Sequence, residues 1–440
     1  MRKFMRVAAV ATAGVAVLAL AGCGSTGTAA ESGGSSDGIP ETVDAAGETL
    51  TVWIMQDDYS DATLEAIKAE FTERTGAEAD VQIQQWDGIS TKLATALGSS
   101  TPPDVVDIGN TQVAGYAANG ALMDVTAYKD DLAQGNTWLS GLEDPATIDG
   151  SLYAIPGFAG NRAVIYNKTM WSEAGVTEAP TTWDELTAAL DKVKAANTAS
   201  DFSALYLPGK HFYVGLQFVW DHGGEIATQN DDGSWTSTAS DNIEALGEWQ
   251  KFQDTYSAAS ADTVFTDSPE QEQIFADGKA GAIIATNGAI NTVLAANEAL
   301  TEEDLGTFAL PSQTGDGTQP VMLGGSDWGI AAKSSNQELA LIWTQIAISD
   351  DIQQDYVFAD QGLMPNSAEI GEAIQADVPE LKTGFFNAAL TSRATPASPG
   401  WTDVEGAGIL KDMFSTIASG AATPEEAAAT YDEKANAYLK

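Results

Sequence analysis

The sequence predicts an exported α/β protein whose lobes are open sheets flanked by helices. Two observations support this class. Strand-like and helix-like segments alternate from residue 50 onward, which is typical of open α/β sheets. A basic and then apolar leader at the amino terminus indicates export. The rest of the 440-residue chain is long enough for two or three domains of about 150 residues each.

Residues 1–22 have the pattern of a lipoprotein signal peptide. Basic residues up to Arg6 precede residues 7–20, which carry no charge and are fewer than the roughly 20 that a transmembrane helix needs. Small residues stand directly before Cys23, which resembles the site where bacterial lipoproteins are cleaved and acylated. We expect a lipid on Cys23 and a flexible tether over 23–47. The alternative is an ordinary signal peptide with an incidental cysteine.

The composition excludes several functions. Cys23 is the single cysteine, so once it carries lipid no thiol remains for a disulfide, a zinc site or thiol catalysis. The chain has 20 basic and 63 acidic residues, a net charge of -43. Such a surface repels nucleic acid and anionic lipid headgroups. Solubility outside the cell is the simpler explanation for most of the acidic residues.

The first folded elements alternate between the two-residue period of strands and the wider period of helices. Gly76 is placed to end the first helix. In order, we predict a strand at Leu50–Ile54, a helix from about Asp61 with Leu64, Ile67 and Phe71 on one face, a strand at Val81–Ile83, a helix carrying Ile89, Leu93 and Leu97, and a strand at Val105–Ile108.

A second series begins near Tyr153. Thr182 and Glu185 form a capping box at the start of a helix. Trp183, Trp249 and Trp343 lie on or beside helical stripes, so we expect them in the core, together with Trp53 of the first strand. The further predicted elements are strands at Ala163–Tyr166, Gly281–Ala285 and Gly329–Ala332, and helices at Asn242–Tyr256, Glu270–Ala276 and Gln337–Ile348.

Catalytic motifs are missing from the sequence. With 63 carboxylates, some pair will lie at the separation of a glycosidase's two catalytic carboxyl groups by chance. Such a pair therefore does not indicate an enzyme. A serine hydrolase would need His211 or His222 as its general base, but no Gly-x-Ser-x-Gly motif stands between a predicted strand and a predicted helix to present the nucleophile. Neither histidine has a zinc-ligand partner four residues on, and no P-loop occurs. We predict no catalytic residue, metal or cofactor; a secreted glycan-active enzyme is the alternative.

Several short stretches carry a family resemblance through their shared order and spacing, which runs from about residue 48 to 440. They are Leu50–Asp58, Pro103–Asn110, Gly120–Asp124, Tyr153–Pro156, Ile165–Lys168, Pro180–Glu185, Phe275–Ala280, Gly324–Gly325 and Gly329–Ala331. Together they resemble family 1 of the bacterial extracellular solute-binding proteins, the group that includes maltose-binding protein.

The resemblance implies a two-lobed, periplasmic-binding-protein-like fold of type II, in which each lobe is an open α/β sheet. By analogy, lobe 1 comprises 48–157 plus 309–358, and lobe 2 comprises 158–308 plus 359–440. The solute would lie in the cleft between the lobes, because the carboxyl ends of strands leave a crevice at a topological switch point.

The resemblance also implies a function. It is that of the substrate-binding component of an ABC importer, which captures a mono- or oligosaccharide by lobe closure and delivers it to permease subunits. The expected partners are the sugar, the transmembrane permease subunits and the membrane, reached through lipid on Cys23 and facing the exterior or periplasm. We expect a monomer that binds no nucleic acid. A polyol, polyamine or peptide remains an alternative ligand.

A sugar site needs carboxylates and amides for hydroxyl groups, and aromatic rings for the apolar faces of the sugar. Two positions depart from maltose-binding protein and argue against maltose itself: Ile290 stands at a stacking Trp and Gly160 at a carboxylate. By the resemblance, and by position after predicted strands or helices, we expect ligand contacts from Gln56, Asp57, Asp58, Trp86, Asn110, Thr111, Asn161, Arg162, Tyr213, Trp220, Asn287, Asp327, Trp328 and Trp401.

Overall fold

The computed structural model describes residues 38–56, 58–85, 89–266, 269–315 and 317–439. The predicted signal peptide, Cys23 and most of the predicted tether lie outside the described residues, as do Asp57 and Trp86. Within these ranges, no helix has the length and apolar character needed to cross a bilayer.

Strands and helices alternate along most of the described chain. The strands are β1 (Thr49–Met55), β2 (Glu78–Gln84), β3 (Val105–Gly109), β4 (Thr147–Ile148), β5 (Ser151–Leu152), β6 (Ile155–Gly160), β7 (Arg162–Asn167), β8 (Ala227–Gln229), β9 (Trp235–Ser237), β10 (Ala282–Thr286), β11 (Leu305–Phe308), β12 (Val321–Met322), β13 (Gly324–Ile330) and β14 (Ser392–Arg393).

The helices cover the sheets and connect their strands. They are α1 (Asp61–Thr75), α2 (Ile89–Gly98), α3 (Val113–Ala118), α4 (Lys129–Ala133), α5 (Ser140–Ala146), α6 (Lys168–Glu173), α7 (Trp183–Ala196), α8 (Phe212–Asp221), α9 (Ile243–Tyr256), α10 (Gln271–Ala276), α11 (Ala289–Ala296), α12 (Gln337–Ala347), α13 (Ala368–Ile374), α14 (Thr383–Ala389), α15 (Trp401–Gly406), α16 (Ile409–Ala418) and α17 (Pro424–Ala435), with a π-helical segment at Ile352–Asp360.

Helix α1 illustrates how local sequence fixes an element. The Ser60 side chain accepts a hydrogen bond from the Thr63 backbone N–H at the start of the helix. Gly76 ends it with a positive φ of 69°, a conformation that glycine adopts without steric cost. The apolar stripe then packs against the sheet, and its buried residues include Leu64, Ile67 and Phe71.

Lobe 1 is built on a five-stranded sheet in the order β2-β1-β3-β13-β6. β1 is parallel to both β2 and β3, whereas β13 is antiparallel to β3 and β6. The carboxyl ends of β1, β3 and β6 therefore meet the start of β13 at one edge of the sheet. Residues that follow these strands lie at that edge, as expected from the sequence.

Lobe 2 contains a three-stranded sheet in which β7 lies between β10 and β11 and is antiparallel to both. Thr286 at the end of β10 pairs with Arg162 at the start of β7, so both lie at the same edge. Side chains of α7, α8, α9, α16 and α17 form one large core over this sheet.

The chain passes between the two sheets by adjacent routes. β6 ends at Gly160 and β7 begins at Arg162, so the first passage is direct. Gly324, which opens β13, pairs with Gly160, and Met364 forms a bridge with Ala159. The segments before β13 and after the π-helical segment therefore run beside the first passage. The lobe boundaries given by the resemblance stay a prediction.

The two cores contain most of the tryptophans expected there. Trp249 and Trp343 are fully buried, and Trp183 is partly buried against Phe218 and Phe252. The prediction for Trp53 is wrong in part, because the side chain remains partly exposed. Its indole N–H donates to Gln82 Oε1 at 3.0 Å, on the outer part of the sheet.

Candidate functional site

The first polar residues at the edge of lobe 1 follow β1. Gln56 is exposed, and its backbone N–H donates to the Gln84 carbonyl at 2.8 Å. Asp58 is half-buried and accepts a hydrogen bond from the Ser326 hydroxyl at 2.5 Å. Because Ser326 lies near the start of β13, this bond joins two strand ends of the same sheet. Asp57 lies outside the described residues.

Behind Asp58 lies a second carboxyl group that the sequence did not single out. Asp107 on β3 is buried and accepts from the Met55 backbone N–H at 3.0 Å. Burial, followed by the nearby charge of Asp58, raises the pKa of Asp107 well above its ordinary range. Burial and the neighbouring charge thus favour the neutral form of the Asp107 carboxyl group, and Asp58 is the more exposed member of this pair.

Asp327 and Trp328 lie inside lobe 1, although both were expected at the ligand. Trp328 is fully buried and packs on Tyr59, with ring centroids 5.0 Å apart. Asp327 is 1% exposed, and burial raises its pKa well above the ordinary range. Since both side chains are buried, this placement favours a role in the core of lobe 1.

The residues after β3 connect the lobes. The Asn110 side-chain amide is buried and donates to the carbonyls of Leu323 at 2.8 Å and Gly141 at 3.3 Å, so it holds the segment that enters β13. The Thr111 carbonyl lies 3.5 Å from the Thr402 hydroxyl of α15, which donates to it. Thr111 is thus a point where lobe 1 meets a helix of lobe 2.

An aromatic ring lies on the side of lobe 2. The guanidinium carbon of Arg162 lies 3.7 Å above the centroid of the Tyr213 ring, a close cation–π contact. Both side chains are half-buried, and burial lowers the pKa of Arg162. Burial raises the pKa of Tyr213, with Arg162 acting in the opposite sense. The neighbouring His211 is neutral, because burial and then Arg162 lower its pKa to about 3.

Glu405 of α15 is a candidate site residue that the sequence reasoning did not name. Burial raises the pKa of this carboxyl to about 7, against the influence of the Trp401 indole, the Thr111 hydroxyl and Lys411. The charge of Glu405 also raises the pKa of Tyr213, so the two side chains interact electrostatically. A sequence signal existed, since Glu405 follows Trp401 by four residues and shares its helix face.

A small cavity of about 290 Å³ lies beside the passage between β6 and β7. Asn161 and Asn287, both expected from the sequence, line it with Lys382. The Asn161 amide donates to the Phe385 carbonyl at 2.7 Å, and the Asn287 amide donates to the Gly362 carbonyl at 3.0 Å. A larger concavity of about 1040 Å³ lies elsewhere, beside the segment that precedes β1.

The family follows from the whole chain. It matches the model of the family described as bacterial extracellular solute-binding protein over residues 57–354. It is also 36% identical over 402 residues to the diacetylchitobiose binding protein DasA of Streptomyces coelicolor, across 91% of this chain and 90% of that protein. The chain belongs to the bacterial extracellular solute-binding proteins. The resemblance inferred from the short stretches is thereby confirmed.

Solved structures of similar shape confirm the two-lobed α/β fold of this solute-binding protein. The sugar-binding protein MalE from Xanthomonas citri has a TM-score of 0.76 at 20% identity, over 89% of this chain and 97% of that one. The GacH receptor of Streptomyces glaucescens, solved unliganded and with acarbose, has a TM-score of 0.68 at 22% identity, over 89% and 98%. At these identities the likeness concerns the fold.

Within this solute-binding protein, the expected residues separate into two groups. Those at or near the meeting of the lobes are Asp58, Thr111, Asn161, Arg162, Tyr213 and Asn287, with Gln56 at the strand edge. Trp220 and Trp401 are 2% and 0% exposed and lie in the core of lobe 2, so their rings pack against protein. Trp86 lies outside the described residues. Ile290, which stands at the position of a stacking Trp, is buried with other apolar residues.

Proposed function

We propose that this protein is the extracellular substrate-binding component of an ABC importer for carbohydrates. The observation that supports it most is the half-buried Tyr213 ring, which the Arg162 guanidinium covers at 3.7 Å and whose pKa the charge of Glu405 influences. A sugar presents apolar C–H faces to such a ring and hydroxyl groups to the polar side chains around it. The family membership, and the diacetylchitobiose bound by the relative DasA, support the same class of solute.

The proposed site uses side chains from both lobes. Lobe 1 contributes residues that follow its strands, and lobe 2 contributes the aromatic ring with its charged neighbours. Three of the expected tryptophans are excluded from the proposed contacts because their side chains are buried in the cores: Trp220, Trp328 and Trp401. The proposed contacts are Gln56, Asp57, Asp58, Thr111, Asn161, Arg162, Tyr213, Asn287 and Glu405.

Closure of the lobes on the solute is the proposed mechanism. A solute that touches both lobes binds the closed state more tightly than the open state, and this difference in affinity shifts the equilibrium towards closure. The hydrogen bond from the Thr402 hydroxyl of α15 to the Thr111 carbonyl, at 3.5 Å, joins the two lobes and would support the closed arrangement. The closed form then docks on the permease subunits, whose partner chains hydrolyse ATP.

The proposal also includes the membrane anchor and the absence of catalysis. Lipid on Cys23 holds the protein at the outer side of the membrane, and residues 23–47 give the lobes reach. The lobe boundaries are 48–157 plus 309–358 and 158–308 plus 359–440. Metabolic labelling with a fatty acid tests the anchor: the wild-type protein should carry the label, and Cys23→Ser should not.

Titration calorimetry with a panel of sugars tests the function. Diacetylchitobiose, cellobiose and maltose are the first probes, with a polyol and a polyamine for the alternative ligands. We expect saturable binding of at least one sugar, a smaller radius of gyration in X-ray scattering on binding, and intact sugar afterwards. Binding of no sugar would contradict the proposal, and steady release of cleaved sugar would favour a glycan-active enzyme.

Tyr213→Ala locates the site. Loss of the ring should weaken sugar binding about fivefold, since an aromatic contact contributes roughly 1 kcal/mol. Tyr438→Ala is the matched control, because Tyr438 is 40% exposed near the carboxyl terminus. Equal affinities of the two variants would place the sugar elsewhere.

A further inference from the structure

Two residues at the end of the π-helical segment hold the loop that follows β1. The Gln361 side-chain amide donates to the Asp58 carbonyl at 3.1 Å, and its oxygen accepts from the Thr63 hydroxyl at 2.7 Å. The Ser60 hydroxyl donates to the Asp360 carboxylate at 2.7 Å. Asp58 is one of the proposed ligand contacts, so the backbone of that contact is fixed by a side chain 303 positions further along the chain.

The next residue, Gly362, contacts the opposite lobe. Its carbonyl accepts a hydrogen bond from the Asn287 side-chain amide at 3.0 Å. Asn287 directly follows β10 of lobe 2 and is also a proposed ligand contact. Gly362 has a positive φ of 69°, which glycine adopts without steric cost. Residues 360–362, which we name the coupling segment, therefore bind the ligand loop of lobe 1 and the ligand loop of lobe 2 at adjacent positions.

The coupling segment is itself held firmly by its surroundings. The backbone N–H groups of Gln361 and Gly362 donate to carbonyls in the last turn of the π-helical segment, at 3.0 and 2.7 Å. Two residues further on, Met364 exchanges two backbone hydrogen bonds with Ala159 of β6, at 2.9 and 3.1 Å. π-helical turns are rare and are frequent at functional sites. A segment fixed at both ends passes a displacement of one loop on to the other, because it does not absorb the movement.

The position of each loop matters for binding. Hydrogen bonds weaken steeply when their distance or angle departs from the preferred values. Residues of a binding site must therefore be held within roughly 0.5 Å of their productive geometry by the residues around them. A solute that contacts Asp58 and Asn287 at the same time needs both loops at the right separation, and the coupling segment is bonded to both.

We propose that Gln361 is a positioning residue for solute binding, and that the coupling segment 360–362 links the ligand loops of the two lobes. This rests on the proposed function as a solute receptor and adds how the two halves of its site are kept in register. Gln361 acts through the Asp58 carbonyl rather than by touching the solute. Movement of Asn287 on binding is passed through the Gly362 carbonyl to the loop of Asp58, so contacts in one lobe strengthen those in the other.

Gln361→Met tests the positioning role, because it removes both hydrogen bonds of the side chain and keeps its length. Gln345→Met is the matched control. Gln345 is also half-buried in lobe 1, accepts from Arg74 at 2.7 Å and donates to the Asp131 carbonyl at 3.3 Å, but it lies beside the segment that precedes β1. The two variants should lower the urea midpoint of unfolding to a similar extent.

Affinity is then measured by titration calorimetry. The probe is whichever of diacetylchitobiose, cellobiose and maltose the wild-type protein binds most tightly. Gln361→Met should weaken binding about fivefold, and Gln345→Met should bind as the wild type does. Gln361→Glu is a second, milder variant that keeps the acceptor for the Thr63 hydroxyl and loses the donor to the Asp58 carbonyl. It should also weaken binding at neutral pH, which keeps the test decisive if Gln361→Met does not fold.

A double-mutant cycle tests the link between the lobes, since a role confined to the stability of lobe 1 would leave the cycle additive. Asn287→Ala should weaken binding in the wild-type background at least about threefold more than in Gln361→Met. In the control pair, Gln345→Met with Asn287→Ala, the two losses should simply multiply.

Two results would overturn the proposal. One is equal affinity of the Gln361 and Gln345 variants, and the other is a cycle of Gln361→Met with Asn287→Ala in which the losses multiply as in the control pair. In both cases the wild-type protein still binds its sugar. Failure of the wild type to bind any sugar would instead overturn the proposed function, so the two failures are distinguishable.

Discussion

Glu405→Gln should stabilise the ligand-free protein at alkaline pH. A carboxyl group whose folded-state pKa is raised binds more protons in the folded than in the unfolded state, so stability falls as pH rises through the window between the two values. For Glu405 that window runs from its ordinary pKa of 4.5 to about 7. Burial is the main cause, and glutamine keeps the shape of the side chain without the charge.

The magnitude follows from the same two values. A pKa that rises from 4.5 to about 7 corresponds to a cost of about 3 kcal/mol once the group is fully ionised. The assay is urea denaturation of both proteins between pH 4 and pH 8, followed as the difference in free energy of unfolding. We expect the difference to be near zero at pH 4 and to approach about 3 kcal/mol at pH 8. A difference that is constant over this range would refute the reasoning.

Four further substitutions test the packing of lobe 2 by thermal or urea unfolding. A Cβ on Gly215 would lie 2.3 Å from the Phe414 ring, so Gly215→Ala should cost about 1–3 kcal/mol, whereas Gly247→Ala, in open space within α9, should stabilise by up to about 1 kcal/mol. Equal effects would contradict the close approach of Gly215 to Phe414. Trp401→Ala should cost about 3–5 kcal/mol because the side chain is fully buried; full stability with lost sugar binding would instead place Trp401 at the ligand. Thr423→Ala removes the capping box of α17 and should cost about 1 kcal/mol; no change would show that the cap is dispensable.

The sequence predicted elements best where a local signal was complete. The helix after Ser60 has a cap, an apolar stripe and a glycine stop, and it forms as Asp61–Thr75. The capping box at Thr182 is present with both of its hydrogen bonds. The strand predicted from Gly329 begins five residues earlier, at Gly324, because its first half contains glycines and polar residues without alternation. Its pairing with β3 and β6, rather than its own propensity, makes that half a strand.

The candidate site was predicted in part, for a similar reason. Residues that directly follow strands, such as Asp58 and Thr111, lie at the edge of lobe 1 because parallel strands bring their ends together. Trp328 and Trp401 carry the right side chain for a sugar platform, yet both are buried in the cores. Which face of a strand or helix points towards the cleft depends on how the elements pack, and a single sequence does not contain that information for these residues.

The sequence by itself determined the family, the net acidic charge and the alternation of strands and helices, because each follows from composition or from local spacing; the export signal that it predicts stays a prediction. Only the tertiary structure decided the partners of the charged groups. Arg162 lies on Tyr213, and Glu405 accepts a hydrogen bond from Thr111 and acts electrostatically on Tyr213, although these residues are separated by up to about 290 positions. Burial shifts their pKa values, and burial is a property of the packed lobes, since no short stretch of sequence can remove a side chain from water.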